Sequence, residues 1–182
     1  MTLLARAQKI VTPVSGCAPV IKTRRLVLRA PRFEDARSFT ALAGDFRVAE
    51  NTTHIPSPCS IEEARQWVAD AILEPATYVV TVGGEVVGVC CLDGRDGIPE
   101  LGYWIGVPFW NCGYATEAAR GLIGRAFNGL GHKALTASAR VSNPASRRVL
   151  EKCGFQWTGV GLRRIRAIRS SVPVDKFLLE RS

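Results

Sequence analysis

The 182-residue chain contains no Gly-x-x-x-x-Gly-Lys-Ser/Thr stretch and no Gly-x-Gly-x-x-Gly stretch, which argues against a P-loop and against a dinucleotide-binding turn. No apolar run approaches membrane-spanning length, so no transmembrane segment is expected. The six cysteines, at positions 17, 59, 90, 91, 112 and 153, form no Cys-x-x-Cys pair. Cys90 and Cys91 are neighbours whose side chains would point to opposite faces of a strand. Reduced thiols, a cytoplasmic setting and no metal are therefore expected. Val14-Ser15-Gly16-Cys17 resembles a lipoprotein cleavage box, but Arg6 and Lys9 interrupt the apolar region that should precede it, and export is rejected. Histidine is scarce too: His54 stands alone in a polar loop, where a catalytic base competes with the commoner solvated or packing residue.

What is abundant is positive charge. A net charge of +8 and a pI near 9.6 favour acidic partners: nucleic acid, a ribosome surface or a polyanionic cofactor. Charge alone does not choose among them. Hydrophobic residues at 47% and charged residues at 22% are the balance of a soluble globular protein, and the length suits one domain with a real core. That domain is assigned to 21–182, after a loose leader at 1–20 that carries two prolines and no periodicity.

Along the chain, 23–30 reads as a first strand closed by Pro31, and Glu34-Asp35 opens a helix that continues to Gly44. Residues 51–60 are a loop with two prolines. Ser60-Ile-Glu-Glu then caps a second helix at 61–72, burying Ala64, Trp67, Val68 and Ile72. The β-rich runs 77–82 and 85–92 flank Gly83-Gly84, the signature of a tight hairpin. A strand at 134–141 leads to Asn143-Pro144, a cap with proline at the first helical position, and a short helix at 145–152 that stops at Gly154. Strands at 155–162 and 174–179 close the chain, with the basic stretch 163–169 between them. The order β-α-α-β-β-β-α-β-α-β-β predicts a mixed α/β sheet with helices packed on it.

The richest stretch is 100–117, ELGYWIGVPFWNCGYATE. Leu101, Tyr103 and Ile105 alternate with Glu100, Gly102 and Trp104, the period of a strand, and Pro108 stops it. After Asn111-Cys112-Gly113, a helix is expected from Tyr114 to about 128, with Ala115, Ala118, Ala119, Leu122, Ile123, Ala126 and Phe127 on one face. A strand that opens into a helix through a glycine turn leaves backbone N–H groups free at the helix start, and such groups suit an anion. An ordinary strand-to-helix turn stands beside that reading.

Two stretches together resemble the GNAT superfamily of acyl-CoA N-acyltransferases, in its RimJ/RimL-like branch. The first is Gly102-Tyr-Trp-Ile followed by Pro108-Phe-Trp-Asn-Cys-Gly-Tyr-Ala-Thr-Glu-Ala. The second is Ser142-Asn-Pro-Ala-Ser-Arg-Arg-Val-Leu-Glu-Lys-Cys-Gly-Phe155. Thr23-Arg-Arg-Leu-Val-Leu-Arg and Ile55-Pro-Ser-Pro fit as well, so the resemblance spans about 22–180. It implies a mostly antiparallel sheet of about seven strands, a splayed central strand pair and about four flanking helices. It also implies an N-acetyltransferase with acetyl-CoA as co-substrate and a primary amine as acceptor: a protein N-terminus, ribosomal-protein-like, or a small molecule. A homodimer is possible, and nucleic acid enters only as part of a ribosomal target. The alternative from another class is a catalytically idle module that binds acyl-CoA, RNA or the ribosome.

Onto this chain the resemblance carries the following roles. Pyrophosphate would meet Cys112, Gly113, Tyr114, Ala115 and Thr116, and pantetheine the backbone of Ile105, Gly106 and Val107. A backbone N–H near Ile105 would meet the thioester carbonyl, Asn143 the pantetheine amide, and Arg148, with Arg147 or Lys152, the CoA phosphates. Ser146 is the candidate proton donor or thiolate stabiliser, against a simple early-helix hydroxyl. Glu100 is the candidate base acting through water, against a salt bridge to an arginine. Residues 163–169 would line the acceptor side or simply keep a loop soluble. Trp110 stands where other branches carry Gln or Arg, and Asn111 where the family usually has Gly. Asn tolerates the left-handed conformation better than most residues, so cofactor binding is expected to survive.

Overall fold

The computed structural model describes residues 19–94 and 97–181. The expected leader at 1–20 falls outside them except for its last two residues, as does Cys17. Eight strands form one sheet in the order β1-β2-β3-β4-β5-β6-β8-β7. These are β1 (Ile21–Lys22), β2 (Val27–Arg29), β3 (Thr77–Val82), β4 (Glu85–Asp93), β5 (Glu100–Ile105), β6 (Ala134–Arg140), β7 (Gln156–Ile165) and β8 (Ser170–Glu180). Five helices pack on the sheet among the described residues: α1 (Ala36–Ala43), α2 (Phe46–Ala49), α3 (Ile61–Ile72), α4 (Tyr114–Asn128) and α5 (Pro144–Lys152).

The mixed sheet is therefore as expected, with one strand and one helix more. The extra strand, β1, lies before the expected one: residues 23–26 form a turn, closed by the Thr23 N–H on the Leu26 carbonyl, which cuts the expected 23–30 strand to Val27–Arg29 and lets Ile21–Lys22 pair back on it. The extra helix, α2, is one turn long, and its N-cap Asp45 accepts a hydrogen bond from the Arg47 N–H. The closing strands are longer than expected, so Arg163, Arg164 and Ile165 belong to β7 and only 166–169 make the turn. Their side chains alternate between faces, which hid them in a sequence that reads as one basic run.

α3 spans the residues expected of it, because Ser60 and Glu63 close a reciprocal capping box at its start. On its inner face Ala71 is buried, while Ile72, expected inside, is 42% exposed. α4 buries Ala118, Ala119, Leu122, Ile123 and Ala126 against Leu28, Cys90, Leu101 and Leu135. Fully burying a side chain the size of Leu122 contributes about 2 kcal/mol. The other face of the sheet carries α1 and α3, whose Phe39 stacks on Trp67 at 4.2 Å and meets Trp104 edge-on at 5.5 Å. Alternation along β5 thus sends Leu101 and Tyr103 toward α4 and α5, and Trp104 toward α1 and α3.

Every strand pairing is antiparallel except one. β5 and β6 pair in parallel, and only through Glu100 with Thr136 and Leu101 with Ala137. Beyond those two residues the strands part. The splay opens a cleft of about 550 Å³ that runs from the α4–α5 face of the sheet through to the α1–α3 face.

Candidate active site

The cleft begins at a strand edge left without a partner. Leu92 donates to Ala76 across β3–β4, so the residues of β4 that bond toward β5 are Val89, Cys91 and Asp93, opposite Trp104, Gly102 and Glu100. The main-chain groups of Leu101, Tyr103 and Ile105 therefore face β6, and past Leu101 there is no β6 partner for them. The β4–β5 junction tolerates no side chain at Gly88, whose Cβ would collide with the Trp104 carbonyl. Of the three residues expected to meet pantetheine, only Ile105 lines the cleft. Its carbonyl already accepts the Trp110 indole N–H at 2.7 Å, so its open group is the N–H. Gly106 donates to Val87 and, like Val107, turns its carbonyl into the short turn before Trp110. Tyr103, which sequence did not single out, offers the other open backbone.

At the far end of that turn, two residues take left-handed conformations, Asn111 at φ 62° and Gly113 at φ 78°. Asn111 thus adopts the backbone that its side chain was expected to tolerate. The left-handed pair aims the start of α4 at the cleft. Glu117 donates its N–H to Gly113, so the N–H groups of Tyr114, Ala115 and Thr116 belong to the first turn and have no intrahelical partner. Gly113, Tyr114, Ala115 and Thr116 all line the cleft; Cys112 is exposed and lies outside it.

α5 closes the same side. The Asn143 side-chain oxygen accepts the Ser146 N–H at 3.1 Å, and Pro144 fills the first helical position. Ser146 lines the cleft with its hydroxyl 2.9 Å from the Tyr103 hydroxyl, which also donates to the Ser146 carbonyl. Burial pushes the Tyr103 phenol far above its ordinary value, so it is a neutral hydrogen-bonding partner at physiological pH. Arg148 and Lys152 line the cleft, whereas Arg147 turns away to Glu151 and Asp175.

The α1–α3 face of the cleft is made of charged pairs. Glu100 accepts from Ser138 at 2.6 Å and from Arg163 at 2.8 and 2.9 Å. Glu100 thus lies in the cleft and is bridged to an arginine, the salt bridge that stood as the alternative to a base. Arg140 bonds both the carbonyl and the carboxylate of Glu50. Arg166 bonds Glu63 and donates its backbone N–H to Thr53, drawing the β7–β8 turn over the loop that contains His54. His54, Trp67 and Trp104 line this side. Cys91 does too, but burial pushes its thiol up to about 11, so at neutral pH it is not a thiolate nucleophile.

Sequence therefore located Glu100, Ser146, Asn143, Arg148, Ile105 and residues 113–116 within one cleft, and missed Tyr103, Ser138 and Arg140. Ser138 and Arg140 carry a faint signal, alternating with the buried Ala137 and Ala139 along β6. Tyr103 carries none, because a strand tyrosine beside a core is ordinary. Among the described residues no group of three or more His, Cys, Asp and Glu is placed to hold a metal, and no helix is long and apolar enough to cross a membrane.

Comparison with known proteins agrees with this geometry. The acetyltransferase (GNAT) domain model matches residues 25–156. An uncharacterised N-acetyltransferase, p20 of Bacillus licheniformis, is 29% identical over 147 residues, covering 76% of this chain and 83% of its own. A GNAT-family acetyltransferase from Bacillus anthracis superposes with a TM-score of 0.79 at 23% identity, over 89% of this chain and 98% of its own. A RimL ribosomal-protein α-N-acetyltransferase, solved with coenzyme A, superposes with a TM-score of 0.74 at 19% identity, over 89% of this chain and 98% of its own.

Proposed function

The chain belongs to the GNAT acetyltransferase family and uses acetyl-CoA, and on that premise we propose that it acetylates an α-amine, of a protein N-terminus in preference to a lysine-like amine, by direct transfer. The observation that carries this reading is the state of Glu100, whose carboxylate is engaged by Arg163 and Ser138. A carboxylate so occupied is poorly placed to strip a proton from a strongly basic amine. An α-amine of pKa ~7.7 is roughly one-sixth neutral at pH 7, whereas a lysine amine near ~10.4 is almost wholly charged. The α-amine therefore asks less of Glu100. The structurally similar RimL acts, by its name, on the α-amine of a ribosomal protein, which is consistent with the same acceptor class.

The chain's residues fit acetyl-CoA. The free N–H groups at the start of α4 suit a pyrophosphate, the open backbone of Tyr103 and Ile105 suits a chain of amides, and Arg148 and Lys152 supply positive charge nearby. Acetyl-CoA supplies an activated thioester carbonyl. The amine enters from the face of Glu100, Ser138 and Arg163, and Glu100 takes its proton through water. Ser146, held by Asn143 and Tyr103, turns its hydroxyl to the departing sulfur and passes it a proton, regaining one through water from the proton that the amine releases. The high thiol pKa of Cys91 supports transfer without an acyl-cysteine stage.

The test is an acceptor panel of peptides with free N-termini, N-blocked lysine peptides, polyamines and aminoglycosides, read by thiol release from acetyl-CoA. Turnover concentrated on free N-termini is expected. A preference for polyamines or lysine side chains would overturn the acceptor assignment.

A further inference from the structure

The α4 turn carries a liability. Glu117 sits one turn into the helix whose start is read above as the pyrophosphate site, and an uncompensated carboxylate there would repel that anion. The segment between β1 and β2 removes the problem. The Arg25 side chain donates to Glu117 at 2.7 Å, its backbone N–H donates to the same carboxylate at 2.7 Å, and the Thr23 hydroxyl adds a third bond at 2.6 Å. The same guanidinium reaches the Cys112 carbonyl at 2.9 Å and lies over the Tyr114 ring, 4.8 Å from its centroid. Its remaining nitrogen stands 3.4 Å from where a Cβ at Gly113 would be. Helix and segment touch closely at Gly121, where a Cβ would come within 3.1 Å of Thr23. Arg25 and Glu117 do not line the cleft; they act from behind the turn.

We propose that Thr23–Arg25 is a clamp that makes the α4 turn competent for the pyrophosphate of acetyl-CoA, with Arg25 as a positioning residue in two separable ways. Its charge cancels that of Glu117, and its fork pins the Cys112 carbonyl, so that the N–H groups after Gly113 stay turned to the cleft. This inference rests on the reading of that turn as the CoA site. A fork that holds a carboxylate and a carbonyl at once is a guanidinium geometry, and lysine does not reproduce it.

The experiment is calorimetric titration of acetyl-CoA into wild type, Arg25→Ala, Arg25→Lys, Glu117→Gln and the double variant Arg25→Ala/Glu117→Gln. Turnover with S-acetylpantetheine, which lacks the pyrophosphate, runs alongside. Arg25→Ala is expected to weaken acetyl-CoA about tenfold to a hundredfold, the scale of losing hydrogen bonds to a charged group. Its kcat/KM for S-acetylpantetheine should not change. Glu117→Gln in the Arg25→Ala background should recover part of the affinity, since the repelling charge is gone, and Arg25→Lys should fall between wild type and Arg25→Ala. Wild type that fails to bind acetyl-CoA overturns the site reading and the clamp with it. Wild type that binds while Arg25→Ala binds equally well overturns the clamp alone. Equal losses with both donors, or no recovery in the double variant, mean that Arg25 merely supports the fold, and they also overturn it. Should Arg25→Ala not fold, Arg25→Lys and Glu117→Gln carry the same comparison.

Discussion

The two halves of the cleft are built by different means. On the α4–α5 side the groups offered are main-chain N–H groups and the backbone of Tyr103 and Ile105, products of a turn and a strand edge, with one pair of hydroxyls, Tyr103 and Ser146, joined across 43 residues. On the α1–α3 side they are ion pairs joined across the chain: Glu100 with Arg163, Glu50 with Arg140 and Glu63 with Arg166. The first half rests on backbone geometry, braced from behind by Thr23 and Arg25. The second depends on residues far apart in sequence, and of its pairs only Arg166–Glu63 is exposed, a kind worth no more than about 1 kcal/mol. A donor common to the whole family can be held by backbone, while a particular acceptor has to be read by side chains.

That contrast is breakable. The largest effect is expected for Ser146→Ala, which should lower kcat about a hundredfold with acetyl-CoA affinity intact, the size of loss associated with a positioned proton donor. Pre-steady-state thiol release beside calorimetry checks it, and an unchanged kcat removes Ser146 from the chemistry. Next, Gly113→Ala forces a side chain onto a left-handed backbone at a cost of about 1 to 2 kcal/mol. It should raise KM for acetyl-CoA about tenfold while leaving KM for the amine alone. If both constants move together, the halves are not separate. Arg166→Ala frees the β7–β8 turn from Glu63 and should change stability by less than about 0.5 kcal/mol. Its signature is instead a shift in preference among acceptor peptides, with acetyl-CoA parameters untouched.

The smallest expected effect concerns acid stability. Burial pushes the Glu117 carboxyl up, but hydrogen bonds from Thr23 and Arg25 outweigh it and hold the group below its ordinary value. A carboxyl whose folded-state pKa is depressed contributes stability above its unfolded pKa and loses it as pH falls through the folded one. Glu117→Gln should therefore flatten the decline of unfolding temperature on the acid side of pH 4.5, seen by scanning calorimetry across that range. An identical acid decline in the variant would show that the clamp holds no differential charge.

The same division explains what could be read from the sequence. α3 and the Gly83-Gly84 hairpin are written in their own residues, Ser60 with Glu63 and a pair of left-handed glycines, and both appear where expected. The Asn143–Pro144 start of α5 and the left-handed Asn111–Gly113 turn are local in the same sense, and with them came Ser146 and the α4 N-terminus. Arg163 looked like loop charge because a basic run gives no sign that alternate members lie on opposite faces of β7. Its partner Glu100 is 63 residues away. Arg25 looked like an ordinary cationic strand residue because nothing local tells a strand from the tight turn that bonds it to Glu117, 92 residues on. The family resemblance pointed to the turn and the cap because both are written in neighbouring residues, whereas long-range pairs are not.

The two-residue parallel joint between β5 and β6 divides the sheet into rafts of five and three strands. Acetyl-CoA held as proposed would lie across that joint and tie the two rafts together. Ligand that binds only the closed sheet adds RT ln(1 + [L]/Kd) to stability, about 2.7 kcal/mol at a hundredfold excess over Kd. A ligand seated across so short a joint would therefore raise the unfolding temperature in step with its free concentration.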